Sequence, residues 1–261
     1  MTRVRILLAI LFTVIGVPSA HAEHPQHLTI AAANSLKDAL RTIAPIFEKE
    51  TANVEIRIVW GPSQTLRNQI EQGAPIDVFL PSSLEEIEQL EQKGLILQGT
   101  KQVYAETALV LITQSAVPVA VASLRDLTDS RIRRIAIGDP KTSSVGKFAA
   151  QALKHAALDD TLRGRYVYAE HSGAVLELVA SGEADVGLVY RTDAIRHKKV
   201  HIIAEIASEH HKPIVYGVAT AWTSKSPFLA QQFREFLLSP KIQDVLKSYG
   251  FERANARIAY R

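Results

Sequence analysis

Short apolar runs alternate with amphipathic stretches of helix length from residue 28 almost to the end of the chain. The apolar runs predict strands at 28–33, 54–59, 78–80, 107–113, 134–137, 166–168, 186–190, 200–206 and 214–221. Between the first two, Leu36, Leu40, Ile43 and Phe47 recur at the spacing that lines one face of a helix. Leu84, Ile87, Leu90 and, less cleanly, Leu95 repeat the pattern. For that helix, Ser83 with Glu86 three positions on reads as a capping box, and Gly94 as the stop. Alternation of this kind builds α/β architecture with mainly parallel sheets.

The pattern restarts after 102–104, and past the apolar run near Pro213 only helices follow, at 227–238 and 240–249. A chain that leaves one sheet, builds a second and returns to the first forms two lobes joined by two crossings. These are expected near 103–107 and 213–218. The expected division is 23–104 with 216–261 as lobe 1, and 105–215 as lobe 2. There is no internal repeat, low-complexity tract or long polar linker.

The N-terminus adds a localisation. Arg3 and Arg5 precede an apolar run at 6–17, Pro18 ends it, and Ala20-His21-Ala22 fits a small-x-small cleavage pattern. A run of about a dozen residues falls short of the roughly 20 needed to span a bilayer. Residues 1–22 are therefore expected to be a cleavable signal, cut after Ala22, which makes the mature chain a soluble periplasmic protein. Losing two arginines brings the net charge of +3 close to neutrality. That leaves no basic stripe for nucleic acid. Cysteine is absent, which excludes disulfides, thiolate metal sites, a cysteine nucleophile and a lipid anchor at the cleavage site.

The familiar enzyme constellations are also missing. There is no G-x-S-x-G, H-E-x-x-H or G-x-x-x-x-G-K-[ST], and no G-x-G-x-x-G opens a helix. No nucleophile–base pair stands out, so no catalytic activity and no cofactor is expected. His210-His211 beside Glu209 resembles a metal pair, but neighbours on an extended segment point to opposite faces, and a surface loop is the expected reading.

Several strands end in small or hydroxyl residues where a helix begins. The run 28–33 leads into Asn34-Ser35, and 54–59 into Gly61-Pro62-Ser63-Gln64-Thr65. The run 134–137 leads through Gly138-Asp139-Pro140 into Thr142-Ser143-Ser144-Val145-Gly146, and 166–168 into His171-Ser172-Gly173. Each helix start offers unpaired N–H groups and about half a positive charge, a ready anion site. Taken singly, Ser, Thr and Asn there are ordinary N-caps. Four in α/β register are more informative, because strand C-terminal ends converge on the ligand crevice of such folds. The loops supply donors, and their only acidic side chain is Asp139. A protonated oxyanion needs an acceptor for its proton, whereas a fully ionised tetrahedral dianion needs donors alone. This favours molybdate, tungstate or sulfate over phosphate.

Ala31-Ala-Ala-Asn-Ser-Leu-Lys-Asp-Ala-Leu40, Thr65-Leu-Arg-Asn-Gln-Ile-Glu-Gln-Gly-Ala-Pro-Ile-Asp-Val-Phe79, Ile135-Ala-Ile-Gly-Asp-Pro140 and Gly182-Glu-Ala-Asp-Val-Gly-Leu-Val-Tyr-Arg-Thr-Asp-Ala194 occur in that order. Together they resemble the periplasmic molybdate-binding proteins of ABC importers, from residue 28 to about 251. The resemblance implies a two-lobed type II periplasmic binding protein that closes over one oxyanion. It implies hydroxyl and amide donors at Ser35 and Ser63, backbone amides at Val145 and Ser172, and the hydroxyl of Tyr190. It further implies molybdate or tungstate as ligand, delivery to an inner-membrane ABC permease, and action as a monomer. Asp185 and Asp193 are expected to be structural, since a carboxylate repels a dianion. Gly61-Pro62-Ser63-Gln64 is less rich in serine and glycine than the family's usual loop. Val145 stands where a smaller residue is common. His171-Ser172-Gly173 also departs from the usual segment, with His171 a candidate pH-dependent charge. A sulfate or other small-anion binder is the alternative within this class.

Overall fold

The computed structural model describes residues 25–115 and 121–254, so the expected signal at 1–22 lies outside the described residues. No helix among the described residues is long and apolar enough to cross a membrane.

The first sheet begins with β1 (Gln26–Ala33), β2 (Val54–Gly61) and β3 (Val78–Leu80), with α1 (Lys37–Glu50), α2 (Ser63–Glu71) and α3 (Leu84–Gln92) between and after them. Strand β4 (Gln102–Thr107) closes this segment. The second sheet is built from β5 (Leu109–Gln114), β6 (Ile135–Gly138), α4 (Ser144–His155), a short α5 (Asp159–Leu162), β7 (Tyr166–Ala169), α6 (Ser172–Ala180), β8 (Val186–Tyr190), α7 (Arg191–Ala194) and β9 (Val200–Glu205). The chain then returns through β10 (Ile214–Thr220), α8 (Pro227–Leu238) and α9 (Pro240–Ser248).

Both sheets have five strands and the same plan. Their orders are β2-β1-β3-β10-β4 and β7-β6-β8-β5-β9. In each, three adjacent strands are parallel, and the strand arriving by a crossing runs antiparallel beside them. The three parallel strands of each sheet are followed by helices. Their C-terminal ends therefore lie along one edge of that sheet, which sets the position of the site.

The predicted strand 107–113 is two strands. Thr107 pairs with Ile214 in the first sheet and Leu109 with Tyr190 in the second. Ala108 between them marks the change of sheet. The apolar run belongs to β5, and β4 escapes the pattern because Gln102 and Glu106 leave it polar and partly exposed. The chain leaves the second sheet after β9 and re-enters the first at Ile214.

Helix faces follow the periodicity. Leu40, Ile43 and Phe47 of α1 are buried, and Phe47 meets Phe233 and Phe236 of α8 edge to face at 5.2 and 5.1 Å. Gly94, at φ +70°, supplies the left-handed stop after α3. The capping box expected at Ser83–Glu86 does not form, since the Ser83 side chain caps nothing. Glu86 is fully buried instead, bonded to Arg67 of α2 at 2.8 Å and to Lys147 of α4 at 3.4 Å. Burial outweighs both cations and holds its carboxyl above the usual range. Lys147 thus ties the two sheets' helices together. The Gln64 side-chain amide lies 2.6 Å from the Lys141 carbonyl oxygen and 2.9 Å from Lys147 Nζ, and with its nitrogen turned to the carbonyl and its oxygen to the ammonium it adds a second tie. An aromatic group joins the sheets at their base, with Tyr216 of β10 6.2 Å from Tyr190 of β8 and 5.0 Å from Phe251.

Candidate functional site

All six parallel strands send their C-terminal ends to one small cavity of about 20 Å³. β1 supplies Asn34 and Ser35, β2 supplies Gly61, Pro62 and Ser63, and β3 supplies Ser82. From the second sheet come Ser143–Val145 after β6, His171 and Ser172 after β7, and Tyr190 at the end of β8. One water needs about 10–15 Å³ on this scale, so the space suits a single compact group rather than a sugar or peptide.

The five residues singled out from the sequence, Ser35, Ser63, Val145, Ser172 and Tyr190, all line this cavity. Ser63, Ser144 and Ser172 are the first residues of α2, α4 and α6, so three helix N-termini converge here. The caps that would normally satisfy these ends are largely withheld. Pro62 precedes α2 and has no capping side chain, and Ser143 precedes α4 without making a cap bond. Only α6 is capped, by His171 Nδ1 accepting from the Ala174 N–H at 3.1 Å. Leading N–H groups of α2 and α4 therefore remain available to an anion.

Close packing presents those amides. A Cβ on Gly146 would lie 2.3 Å from the Gly138 carbonyl oxygen, and one on Gly138 would lie 2.8 Å from the Gly146 nitrogen. The start of α4 is thus pressed against the end of β6, which only glycine permits at both positions. Val145, buried between them, contributes its backbone to the wall while its side chain enters the core.

The hydroxyls form a second layer. Ser63 Oγ accepts from the Ser82 N–H at 3.0 Å and lies 3.1 Å from Ser82 Oγ. Ser35 Oγ accepts from the Tyr216 hydroxyl at 3.0 Å, and Ser172 Oγ from the Tyr190 N–H at 3.0 Å. Ser144 Oγ is buried without a hydrogen-bond partner among the described residues, and the buried Tyr190 hydroxyl has only the weakly placed Ser82 hydroxyl near it. A buried orphan hydroxyl costs free energy, on the order of 1–3 kcal/mol, unless a ligand satisfies it. Burial pushes the Tyr190 phenol well above its ordinary range, with the neighbouring Tyr216 adding to the effect and Ser82 offsetting part of it. It is a neutral donor at working pH.

Among the described residues no carboxylate lines the cavity. Asp193 lies one residue layer behind, near Ser172, where burial raises its carboxyl to about 6 against the pull of the Ser172 hydroxyl. Asp185 accepts from the backbone N–H groups of Arg133 and Arg134 at 2.8 Å each, a structural role. His171 is not a cation here, because burial holds its imidazole below the ordinary range. His210 stacks on His155 at 4.7 Å, and among the described residues no cluster suits a metal ion. Sequence reasoning passed over Ser82, and named Ser143 and Ser144 as part of a strand-end loop without assigning either a contact. Ser82 follows the end of β3 as Ser35 follows β1, so the strand-end rule extended to 78–80 finds it.

A family described as bacterial extracellular solute-binding protein matches residues 28–252. The chain belongs to this family. A molybdate-binding protein of Haemophilus influenzae is 32% identical over 86% of this chain and 89% of its own. The solved periplasmic molybdate-binding protein of Azotobacter vinelandii is 29% identical, with a TM-score of 0.79 over 87% of this chain and 100% of that one. A solved sulfate-binding protein from Mycobacterium tuberculosis, at 18% identity and a TM-score of 0.75, shares the fold. This member of the family has the two-lobed binding-protein architecture, with its cavity at the six converging strand ends.

Proposed function

We propose that this chain captures a tetrahedral oxyanion dianion, molybdate or tungstate, and delivers it to an ABC importer's permease. The observation that carries the reading is a compact cavity ringed by helix N-termini and serine and tyrosine hydroxyls, with no carboxylate in its wall. Such a wall offers hydrogen-bond donors to every oxygen of a dianion and supplies no base for a protonated one. The molybdate-binding relatives support the choice of anion.

Ser35 and Ser63 act as donors from the lobe built on the first sheet, and the amides of Val145 and Ser172 and the hydroxyl of Tyr190 act from the lobe built on the second. An open form takes the anion on one lobe, and closure brings up the second because the bound form bonds to both. Lys147, reaching Glu86 across the lobes, helps hold the closed arrangement. Residues 1–22 direct export to the periplasm and are removed after Ala22, and the mature chain acts there as a monomer without covalent chemistry.

Thermal unfolding of the mature protein with each oxyanion tests the assignment. A ligand at a thousandfold its dissociation constant adds about 4 kcal/mol of stability. Molybdate and tungstate at millimolar concentration should raise the melting temperature by several degrees. Equal shifts with sulfate, or none with any oxyanion, would contradict it.

A further inference from the structure

We infer that the loop 222–228, which presents Trp222 and Phe228 to solvent around Lys225, is a contact surface for an anionic phospholipid membrane. The inference does not depend on which anion the cavity takes.

Trp222 and Phe228 are the two most exposed large apolar side chains among the described residues, at 64% and 72%. Thr223, Lys225 and Pro227 between them are exposed as well. The loop is fixed from within. The Ser224 N–H donates to the Ala221 carbonyl at 3.0 Å. Asp77, buried just before β3, accepts through Oδ1 from the Ser224 hydroxyl at 2.7 Å and from the N–H groups of Lys225 and Ser226 at 3.0 and 3.2 Å. Its other oxygen accepts from the Thr29 N–H at 2.9 Å, which roots the loop in β1. Two rings are thus held out on a loop already ordered, so little freedom is lost when they meet a partner.

Three observations point to lipid as the partner. The N–H groups of Trp222, Ser224, Lys225 and Ser226 are all bonded inside the protein, Trp222 to the Leu95 carbonyl at 3.0 Å, and Pro227 has none. Such a loop can leave water for the headgroup boundary without stranding donors. Charge is the second. No acidic residue occurs from 221 to 234, and Lys225 makes no ion pair among the described residues. Trp, Phe and Lys on one exposed turn suit a membrane interface, with the rings at the acyl boundary and the ammonium among lipid phosphates. The third is where the chain enters. Ser226 Oγ donates to the His27 carbonyl at 3.3 Å, so the loop lies beside the start of β1. Nine residues separate Gln26 from Val17, the end of the apolar run read as an export signal. At about 3.5 Å each they span at most about 30 Å, so this end of the first lobe is held near the bilayer while that run is in it. The loop belongs to the mature chain, and the contact outlasts the signal. Thr220, just before the loop, pairs with Val78 at one end of β3, whereas the cavity takes Ser82 beyond the other. Lipid contact therefore leaves the cavity free to fill.

One myristoyl chain gives a membrane binding constant of about 10⁴ M⁻¹, and two partly inserted rings with one lysine predict about 10³ M⁻¹, or half-binding near millimolar lipid. Sedimentation of the mature protein with vesicles of phosphatidylethanolamine and phosphatidylglycerol at low ionic strength measures this. Trp222→Ala combined with Phe228→Ala should lower the constant at least about tenfold. Lys225→Gln should lower it about fivefold, the effect of one lysine near an anionic surface. Thermal unfolding should be unchanged in both, since the side chains are exposed. Failure of wild type to bind, or undiminished binding by the double aromatic variant, would overturn the inference. A spectroscopic readout leaves the loop intact. The chain has two tryptophans, Trp60 and Trp222, so in Trp60→Phe the emission comes from the loop alone. Vesicles should shift that emission to shorter wavelength and shield it from iodide, and unshifted emission would overturn the inference. A wild type that is dimeric without lipid, with a monomeric double variant, would assign the surface to a second copy of the chain and overturn the lipid assignment.

Discussion

The first sheet's wall of the cavity presents side chains: the hydroxyls of Ser35, Ser63 and Ser82, two of them engaged from behind by a donor. The second sheet's wall carries the hydroxyls of Ser144, Ser172 and Tyr190 and adds to them backbone at close quarters, the start of α4 pressed onto Gly138. Both walls aim donors at one point by different means. A side-chain donor is lost by truncation, whereas a backbone donor survives any substitution that leaves the main chain where it is. The two walls should therefore respond to mutation in opposite ways.

The largest effect should come from moving the backbone itself. Gly146→Ala places a methyl group 2.3 Å from the Gly138 carbonyl oxygen, so α4 must retreat from the site. Losing two charge-assisted hydrogen bonds at about 1.5–3 kcal/mol each predicts a hundredfold or greater loss of affinity. The strain should also cost about 1–3 kcal/mol of stability. Titration and chemical denaturation read the two separately, and near-normal affinity would remove the backbone from the account.

On the side-chain wall, Ser35→Ala and Ser63→Ala should each weaken binding by about 1–3 kcal/mol. Calorimetry measures this directly, and unchanged affinity in both would refute the site assignment.

Behind the backbone wall, Asp193 offers a test by pH. Its folded carboxyl, at about 6, is raised above the ordinary 3.8, so the folded state binds the proton more tightly than the unfolded one. The resulting stabilisation is complete below about pH 4 and is lost as pH rises through 6. Asp193→Asn should accordingly be more stable than wild type at pH 8, by up to about 3 kcal/mol, and the gap should close towards pH 4. Unfolding curves across that range check the sign. A gap that widened towards acid would contradict the burial of Asp193.

The smallest effect on binding belongs to Val145→Ala. If Val145 contributes its amide alone, as proposed, affinity should change by less than about 0.5 kcal/mol, while the emptied core position costs about 1–3 kcal/mol of stability. Set beside Ser63→Ala, this is the sharpest contrast between the walls. A tenfold loss of affinity would show that the side chain matters after all.

The two walls also differed in how much of them could be read along the chain. Ser35, Ser63 and Ser172 announced themselves because a hydroxyl after a strand and before a helix is a local pattern. Val145 and Tyr190 needed the family resemblance, since neither an apolar side chain nor a buried tyrosine advertises a ligand contact. The donors behind the wall were not legible. Tyr216 meets Ser35 across 181 residues, and Ser63 meets Ser82 in the loop after β3, where only Ser83 had been read, as a cap. Nor was β4, whose Gln102, Glu106 and Thr107 interrupt the apolar run that marks a buried strand. Glu86 was misread for the related reason that its partners, Arg67 and Lys147, come from two other helices.

Calorimetric titration of the mature wild-type protein with molybdate, tungstate, sulfate and phosphate at neutral pH tests the central claim most directly. The donor-lined cavity predicts binding at one site per chain with negligible phosphate, and the proposed choice of anion, which rests on the molybdate-binding relatives, predicts submicromolar molybdate and tungstate with negligible sulfate. Tight phosphate binding, tight sulfate binding, or no heat with any of the four would contradict it.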